Sequence, residues 1–286
     1  MQKVNAKELL AGKSHVFDSI SDLAIINSLP EGNISVKFPG GNIDSFFIKN
    51  PTSENLVVLF SGARDPNRHP LPKFDRWSWS DKFGASILCI SDPTLALDDK
   101  NLNIGWYMGT EGTNYMPHIA AWVRQVALLL GIPTNKIVTY GSSAGGFASI
   151  MLTAALKNSI AIAINPQLDV FKYYPKFVDQ YMALAFPNKT RSELSAHDVK
   201  RFLAIEAIVN EPDARFIIAQ NIQDKFHYAK HYGQLCKKVG IPLSHDIGAI
   251  RRVGNISVLL FDSPNGHGSE PEDIVPILKA EALLSS

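Results

Sequence analysis

From residue 55 onward the sequence alternates short, uninterrupted apolar runs with amphipathic stretches, and this alternation constrains the fold more than any other feature. The runs are Leu56–Phe60, Ser86–Ile90, Lys136–Tyr140, Ile160–Ile164, Arg215–Ala219 and Ile256–Phe261. A strand that is apolar on both faces belongs in a parallel sheet buried between helices. Between two of the runs, Pro117–Leu130 carries its apolar residues on one helical face. It stops at Gly131 with Pro133 just beyond, a helix C-terminus signal. Upstream, Ile34–Phe38 and Asp44–Ile48 flank Pro39-Gly-Gly-Asn42, and their period-two alternation predicts an antiparallel hairpin. The predicted class is α/β, a doubly wound and mostly parallel sheet with an antiparallel N-terminal edge.

The connection from Ile164 to Arg215 is far longer than a crossover requires. It holds Val170–Tyr174, Phe177–Phe186 and a helix predicted over Ser195–Val209. Long insertions in compact domains tend to be lids or binding elements, so residues 166–212 read as a helical cap. The division that follows is one domain over 1–286, with an N-terminal extension and hairpin at 1–50. A chain of 286 residues buries enough surface to need no disulfide or metal staple. Cys89 and Cys236 accordingly read as small buried apolar residues, without partners at metal-ligand spacing.

Charge excludes some functions. Lys and Arg total 28 against 27 Asp and Glu, a net charge of +1, which provides no footprint for nucleic acid or an anionic membrane. The N-terminus lacks the apolar core of a signal peptide, and no apolar stretch approaches ~20 residues. The expectation is a soluble, cytoplasmic protein without a membrane span.

Chemistry concentrates at Gly141-Ser142-Ser143-Ala144-Gly145, followed by Gly146. By average usage G-x-S-x-G arises by chance about once in ten chains of this length, so its setting matters. Here a predicted strand enters it and a helical run, Phe147–Leu156, leaves it, as a nucleophile elbow requires. The central serine of such a turn is strained and the chain reverses closely, so the flanking positions must lack a Cβ. A tight turn of a nucleotide-binding fold is the bland alternative, although G-x-G-x-x-G and the phosphate-loop pattern are absent.

A nucleophilic serine needs a base, and the base an orienting acid. His267, in Asp262-Ser-Pro-Asn-Gly-His267-Gly after the last apolar run, is placed to swing over the sheet edge. His118, His197, His227, His231 and His245 fall on or beside helical stretches and read as solvated or locally hydrogen-bonded. For the acid, Asp224 follows the run Arg215–Ala219 at the same edge; it also reads as a helix N-cap. Asp169 is the alternative acid, and Asp262 lies too close to its strand to turn back onto His267. No histidines or carboxylates stand at ligand spacing on a helix, so neither a metal nor another cofactor is expected.

These residues resemble the α/β-hydrolase-fold serine enzymes. The resemblance spans about residues 34–280 and rests on the elbow at Ser143 and the chain order Ser143, Asp224, His267. It implies an oxyanion hole made by the Ala144 N–H and by the loop Phe60–Arg64, where the backbone role passes to Ala63. Ser61 stands where many members carry histidine. More loosely, this loop with Arg76–Trp79, Ser91–Thr94 and Gly105–Tyr107 is similar to small bacterial hydrolases associated with glycan assembly.

Specificity must come from loops over Ser143. Arg64, Arg68, His69, Lys73 and Arg76 cluster with Trp77 and Trp79, which suits a sugar face or an acidic group. Arg64, Trp106 and Tyr107 are the expected substrate contacts, with Tyr173, Tyr174 and Tyr181 as a roof. Three readings follow: a serine hydrolase of carboxylic esters, an acyltransferase to a sugar hydroxyl with the same triad, and a non-catalytic glycan-binding module. The expected partner in each is a small-molecule or glycan ligand.

Overall fold

The computed structural model describes residues 6–244 and 246–283; His245 lies outside them. Ten strands form one mixed sheet: β1 (His15–Phe17), β2 (Gly32–Phe38), β3 (Gly41–Ile48), β4 (Leu56–Phe60), β5 (Ser86–Ile90), β6 (Ile137–Ser142), β7 (Ile160–Ile164), β8 (Arg215–Asn221), β9 (Ile250–Val253) and β10 (Ile256–Phe261). Their order is β1-β2-β3-β5-β4-β6-β7-β8-β10-β9. Every apolar run of the sequence is a strand, and these six are parallel neighbours. The hairpin β2–β3 is antiparallel and joins the parallel block through β5.

Alternate residues of the central strands explain why they are apolar throughout. Val58, Phe60, Leu88 and Ile90 pack on the helices Met116–Leu130 and Ala144–Leu156. Val57, Leu59, Ile87 and Cys89 meet Phe83, Ile274 and Leu278 on the opposite face. The Met116–Leu130 helix ends as its sequence indicates, with Gly131 left-handed at φ 67° and its N–H bonded to the Ala127 and Leu128 carbonyls. Strands β1 and β9 were not anticipated. The first is only three residues long, and the second is an edge carrying Arg251 and Arg252 instead of an apolar pattern.

The long connection after β7 carries the helices Pro175–Ala185, Ala196–Lys200 and Ala204–Asn210. The single helix predicted over Ser195–Val209 is therefore interrupted. Phe202 turns fully into the core and its carbonyl accepts the Val170 N–H at 2.9 Å, so it cannot serve a continuing helix. The first of these helices buries Val178, Tyr181, Met182 and Ala185 in a cluster that includes Trp106. No helix among the described residues is long and apolar enough to cross a membrane. The C-terminal ends of β6, β7, β8 and β10 open side by side, and the segments leaving them carry Ser143, Gln167, Asp224 and His267.

Candidate active site

Ser143 follows β6 and adopts φ 57° and ψ −120°, a region that costs of order 1–3 kcal/mol for a residue with a side chain. The glycines are needed by contact. A Cβ at Gly141 would sit 2.3 Å from the Gly145 backbone, and one at Gly145 would sit 2.6 Å from the Phe60 carbonyl oxygen. Gly146 is similarly tight, 3.1 Å from Pro166. The turn is pinned by the Ser143 N–H donating to the Ile164 carbonyl at 2.9 Å. Oγ is thereby held above the start of the Ala144–Leu156 helix, whose dipole favours negative charge there.

Around this serine the structure brings together the other two residues expected in the site. Ser143 Oγ lies 2.9 Å from His267 Nε2, and His267 Nδ1 lies 2.5 Å from Asp224 Oδ2. His267 is reached through a loop that Asn221 templates. Its Nδ2 donates to the Ser263 and Gly266 carbonyls at 2.8 and 2.7 Å, and its Oδ1 accepts the Ser263 N–H at 3.1 Å. Asp224 is both things its sequence position allowed, because its carboxylate also caps the next turn by accepting the His227 N–H at 3.2 Å. Burial alone would raise its pKa, but bonds to His227 and His267 outweigh that and hold it well below the usual carboxylate range. Asp169 instead accepts the Phe171 N–H and pairs with Lys172 at 3.3 Å, and Asp262 accepts from Gln223.

Two histidines were misjudged as solvated. His227 and His231 are both buried, in the continuous helical run that follows Asp224. The His227 ring stacks on His267 with centroids 3.9 Å apart and planes within 7°, and its Nδ1 lies 3.0 Å from Asp224 Oδ1. Burial, with His267 alongside, pushes the His227 pKa down despite Asp224. Burial likewise takes His231 down to about 3, where its Nδ1 accepts the Leu168 N–H. Asp224, His227 and His267 gather ligand-type atoms within 4.8 Å. Both Nδ1 atoms point at oxygens of the same carboxylate, however, as N–H donors do and as lone pairs converging on an ion do not.

A cleft of about 460 Å³ opens over the serine, lined in part by Ala63, Arg76, Trp79, Tyr173 and Glu270 together with Ser143 and His267. The Gly62 N–H beside it is occupied by Asp75 at 3.2 Å. None of the three expected substrate contacts lines this cleft. Arg64 is buried and donates to the His69 and Asp99 carbonyls, so its charge braces its own loop. Tyr107 is buried beneath that loop, accepting the Ser61 N–H at 2.8 Å and donating to the Ile90 carbonyl at 3.0 Å. Trp106 lies behind the serine and donates to Gln167 Oε1 at 3.1 Å. Of the tyrosines, Tyr173 reaches the cleft, Tyr174 stacks on Phe226 at the surface, and Tyr181 is core.

The sequence also gave no cue to the Arg76–Glu270 pair, which walls one side. The guanidinium donates through Nε and Nη2 to Glu270 at 2.7 Å each, and Nη2 reaches Ser142 Oγ at 2.9 Å. Nor did it indicate Gln167, whose Nε2 lies 2.7 Å from Ser143 Oγ.

The sequence matches no protein-family model and no curated protein. Among solved structures, capsule O-acetyltransferase of Neisseria meningitidis serogroup A superposes with a TM-score of 0.60 at 15% identity, over 91% of this chain and 96% of that one. The Pyrococcus horikoshii acylaminoacyl peptidase does so with a TM-score of 0.56 at 11% identity, over 90% of this chain and 40% of that one. The fold is hydrolase-like. A third neighbour is the glycosylation-associated Gap123 complex of Streptococcus agalactiae, with a TM-score of 0.59 at 15% identity over 87% of this chain and 45% of that one. At such identities the likeness speaks for the fold, and any chemistry must be argued from the side chains just described.

Proposed function

We propose that this protein transfers acyl groups through an ester on Ser143. The observation that carries the reading is the continuous chain from a strained elbow serine through His267 to a buried, ionised Asp224. Ser143 Oγ attacks the acyl carbon while His267 Nε2 takes its proton; Asp224 accepts the Nδ1–H and stabilises the imidazolium. The Ala144 N–H at the helix start and the Ala63 N–H beside the cleft stabilise the oxyanion. The His267 proton then goes to the leaving group, and an incoming hydroxyl surrenders its own proton to His267 as it attacks the acyl-serine. Metal and cofactor play no part in this scheme.

Two acceptors fit the scheme, water for a carboxylesterase and a sugar hydroxyl for an acyltransferase. One observation favours the hydroxyl: the match to a capsule O-acetyltransferase extends over nearly the whole of both chains, and that protein is also known in complex with CoA. The reading we prefer is therefore acetyl transfer from acetyl-CoA to a glycan hydroxyl, with hydrolysis as the competing outcome. A fluorophosphonate should label the wild type and not Ser143→Ala; a folded wild type that resists labelling would point to a glycan-binding module. Incubation with acetyl-CoA and acetyl-free polysaccharide should yield O-acetylated glycan, whereas release of free acetate at the same rate without glycan would identify a hydrolase.

A further inference from the structure

We propose that Gln167 is a catalytic residue, donating a hydrogen bond to the nucleophile oxygen itself, and that Trp106 is the positioning residue that fixes its orientation. The inference rests on the acyl-serine reading and adds to it a donor on Oγ, separate from the two backbone donors on the carbonyl oxygen.

The orientation of the amide follows from its neighbours. Trp106 Nε1 can only donate, and it lies 3.1 Å from one end of the Gln167 amide, so that end is the oxygen. The amide nitrogen then faces Ser143 Oγ at 2.7 Å and His227 Nε2 at 3.2 Å. Asp224 is ionised and accepts from His227 Nδ1, which places the His227 proton there and leaves a lone pair on Nε2. One Gln167 hydrogen therefore goes to His227 and the other to Ser143 Oγ. The result is a closed ring of bonds: Ser143 to His267, His267 to Asp224, His227 to Asp224, Gln167 to His227 and Gln167 to Ser143. Gln167 and Trp106 are fully buried, so no water competes for these positions.

The consequence lies at Oγ. Its proton is given to His267 while one of its lone pairs is held by Gln167, leaving another to attack the acyl carbon. Negative charge develops on Oγ as its proton leaves. It develops again in the second step, when the Oγ–acyl bond breaks with its electron pair going to oxygen before His267 returns the proton. An N–H fixed on that atom stabilises both moments and needs no rearrangement between them.

The test measures second-order fluorophosphonate labelling rates across pH. Gln167→Met keeps the volume and removes the donor; a loss of about 10–100-fold is expected, the range for a hydrogen bond to a developing charge. Gln167→Glu restores a donor only while protonated. Its labelling should therefore approach wild type at low pH and fall as the carboxyl ionises, opposite to the rise with pH that a histidine base confers. Trp106→Phe should slow labelling alone but cost nothing further in the Gln167→Met background, the signature of a residue acting through another. Labelling of Gln167→Met at the wild-type rate overturns the proposal while leaving the acyl-serine reading intact. A folded wild type that is not labelled overturns both. If Gln167→Met does not fold, the Gln167→Glu profile decides, and a profile parallel to wild type refutes the donor.

Discussion

Removing the Glu270 carboxylate should strip the cleft wall of its brace. The Glu270 side chain is 2% exposed and its partner Arg76 11%, so the ion pair sits largely out of water. Three buried donors converge on the carboxylate: Arg76 Nε, Arg76 Nη2 and the Tyr140 hydroxyl, each at 2.7 Å. Glu270→Ala orphans all three and leaves a guanidinium buried without a counter-charge, which costs about 3–5 kcal/mol. In a chain of this size that corresponds to a fall in Tm of roughly 6–20 °C. Replacing both members, as Arg76→Met with Glu270→Leu, should recover most of the loss, because an apolar pair of similar volume is often neutral where a broken pair is not. Urea melts of the wild type, the single and the double variant provide the measurement, with unchanged m-values as the control. The pH dependence has a definite sign. Burial alone would raise the Glu270 pKa, but the bonds to Arg76 prevail and keep it below the ordinary glutamate range. Its contribution is therefore complete above the unfolded-state pKa and fades as pH falls through the lower folded value. A Glu270→Ala protein within about 1 kcal/mol of wild type at neutral pH, or a double variant no better than the single, would refute this reasoning.

Asp224→Asn should lower turnover or labelling on the order of 10³–10⁴-fold, because a carboxamide cannot accept from both histidine Nδ1–H groups, whereas Asp169→Asn should leave rates near wild type. If the Asp169 variant were the damaged one, the acid assignment would be wrong. Gly145→Ala drives a methyl to 2.6 Å from the Phe60 carbonyl and should cost about 1–3 kcal/mol or more in denaturant melts, with activity lost as the elbow shifts. Tyr107→Phe leaves the buried Ser61 N–H without its 2.8 Å acceptor; a loss of about 1–3 kcal/mol is expected, with slower acylation if the loop carrying Ala63 moves, both read from melts and labelling of one preparation.

What the sequence reveals about this site follows the range of the constraint. The elbow is legible because its requirements are local: two missing Cβ atoms within five residues, a strand before and a helix after. His267 and Asp224 are legible because each follows an apolar run, and parallel runs deliver their next residues to one edge. Gln167 follows such a run too, but an amide in a strand-to-helix turn looks like any polar loop residue. Only its contact with Trp106 gives it an orientation and hence a role. His227 was hidden by its helical position, since which face of the turn looks inward depends on Asp224 capping it and on His267 arriving from another strand. The same blindness to direction misplaced Arg64, Trp106 and Tyr107. Charge and aromatic character mark them as worth attention, yet each turns inward and finds its partners within the protein: Arg64 on carbonyls, Tyr107 under the Ser61 N–H, Trp106 on Gln167. They act one layer behind the surface a substrate would meet. The loop whose net charge looked suited to an anionic ligand has, beside the cleft, already paired Arg76 with Glu270 and Lys73 with Asp75, so what it presents to the cleft is close to neutral. That favours a substrate recognised by hydroxyls and ring faces, with Trp79 and Tyr173 on the lining, over one recognised by charge.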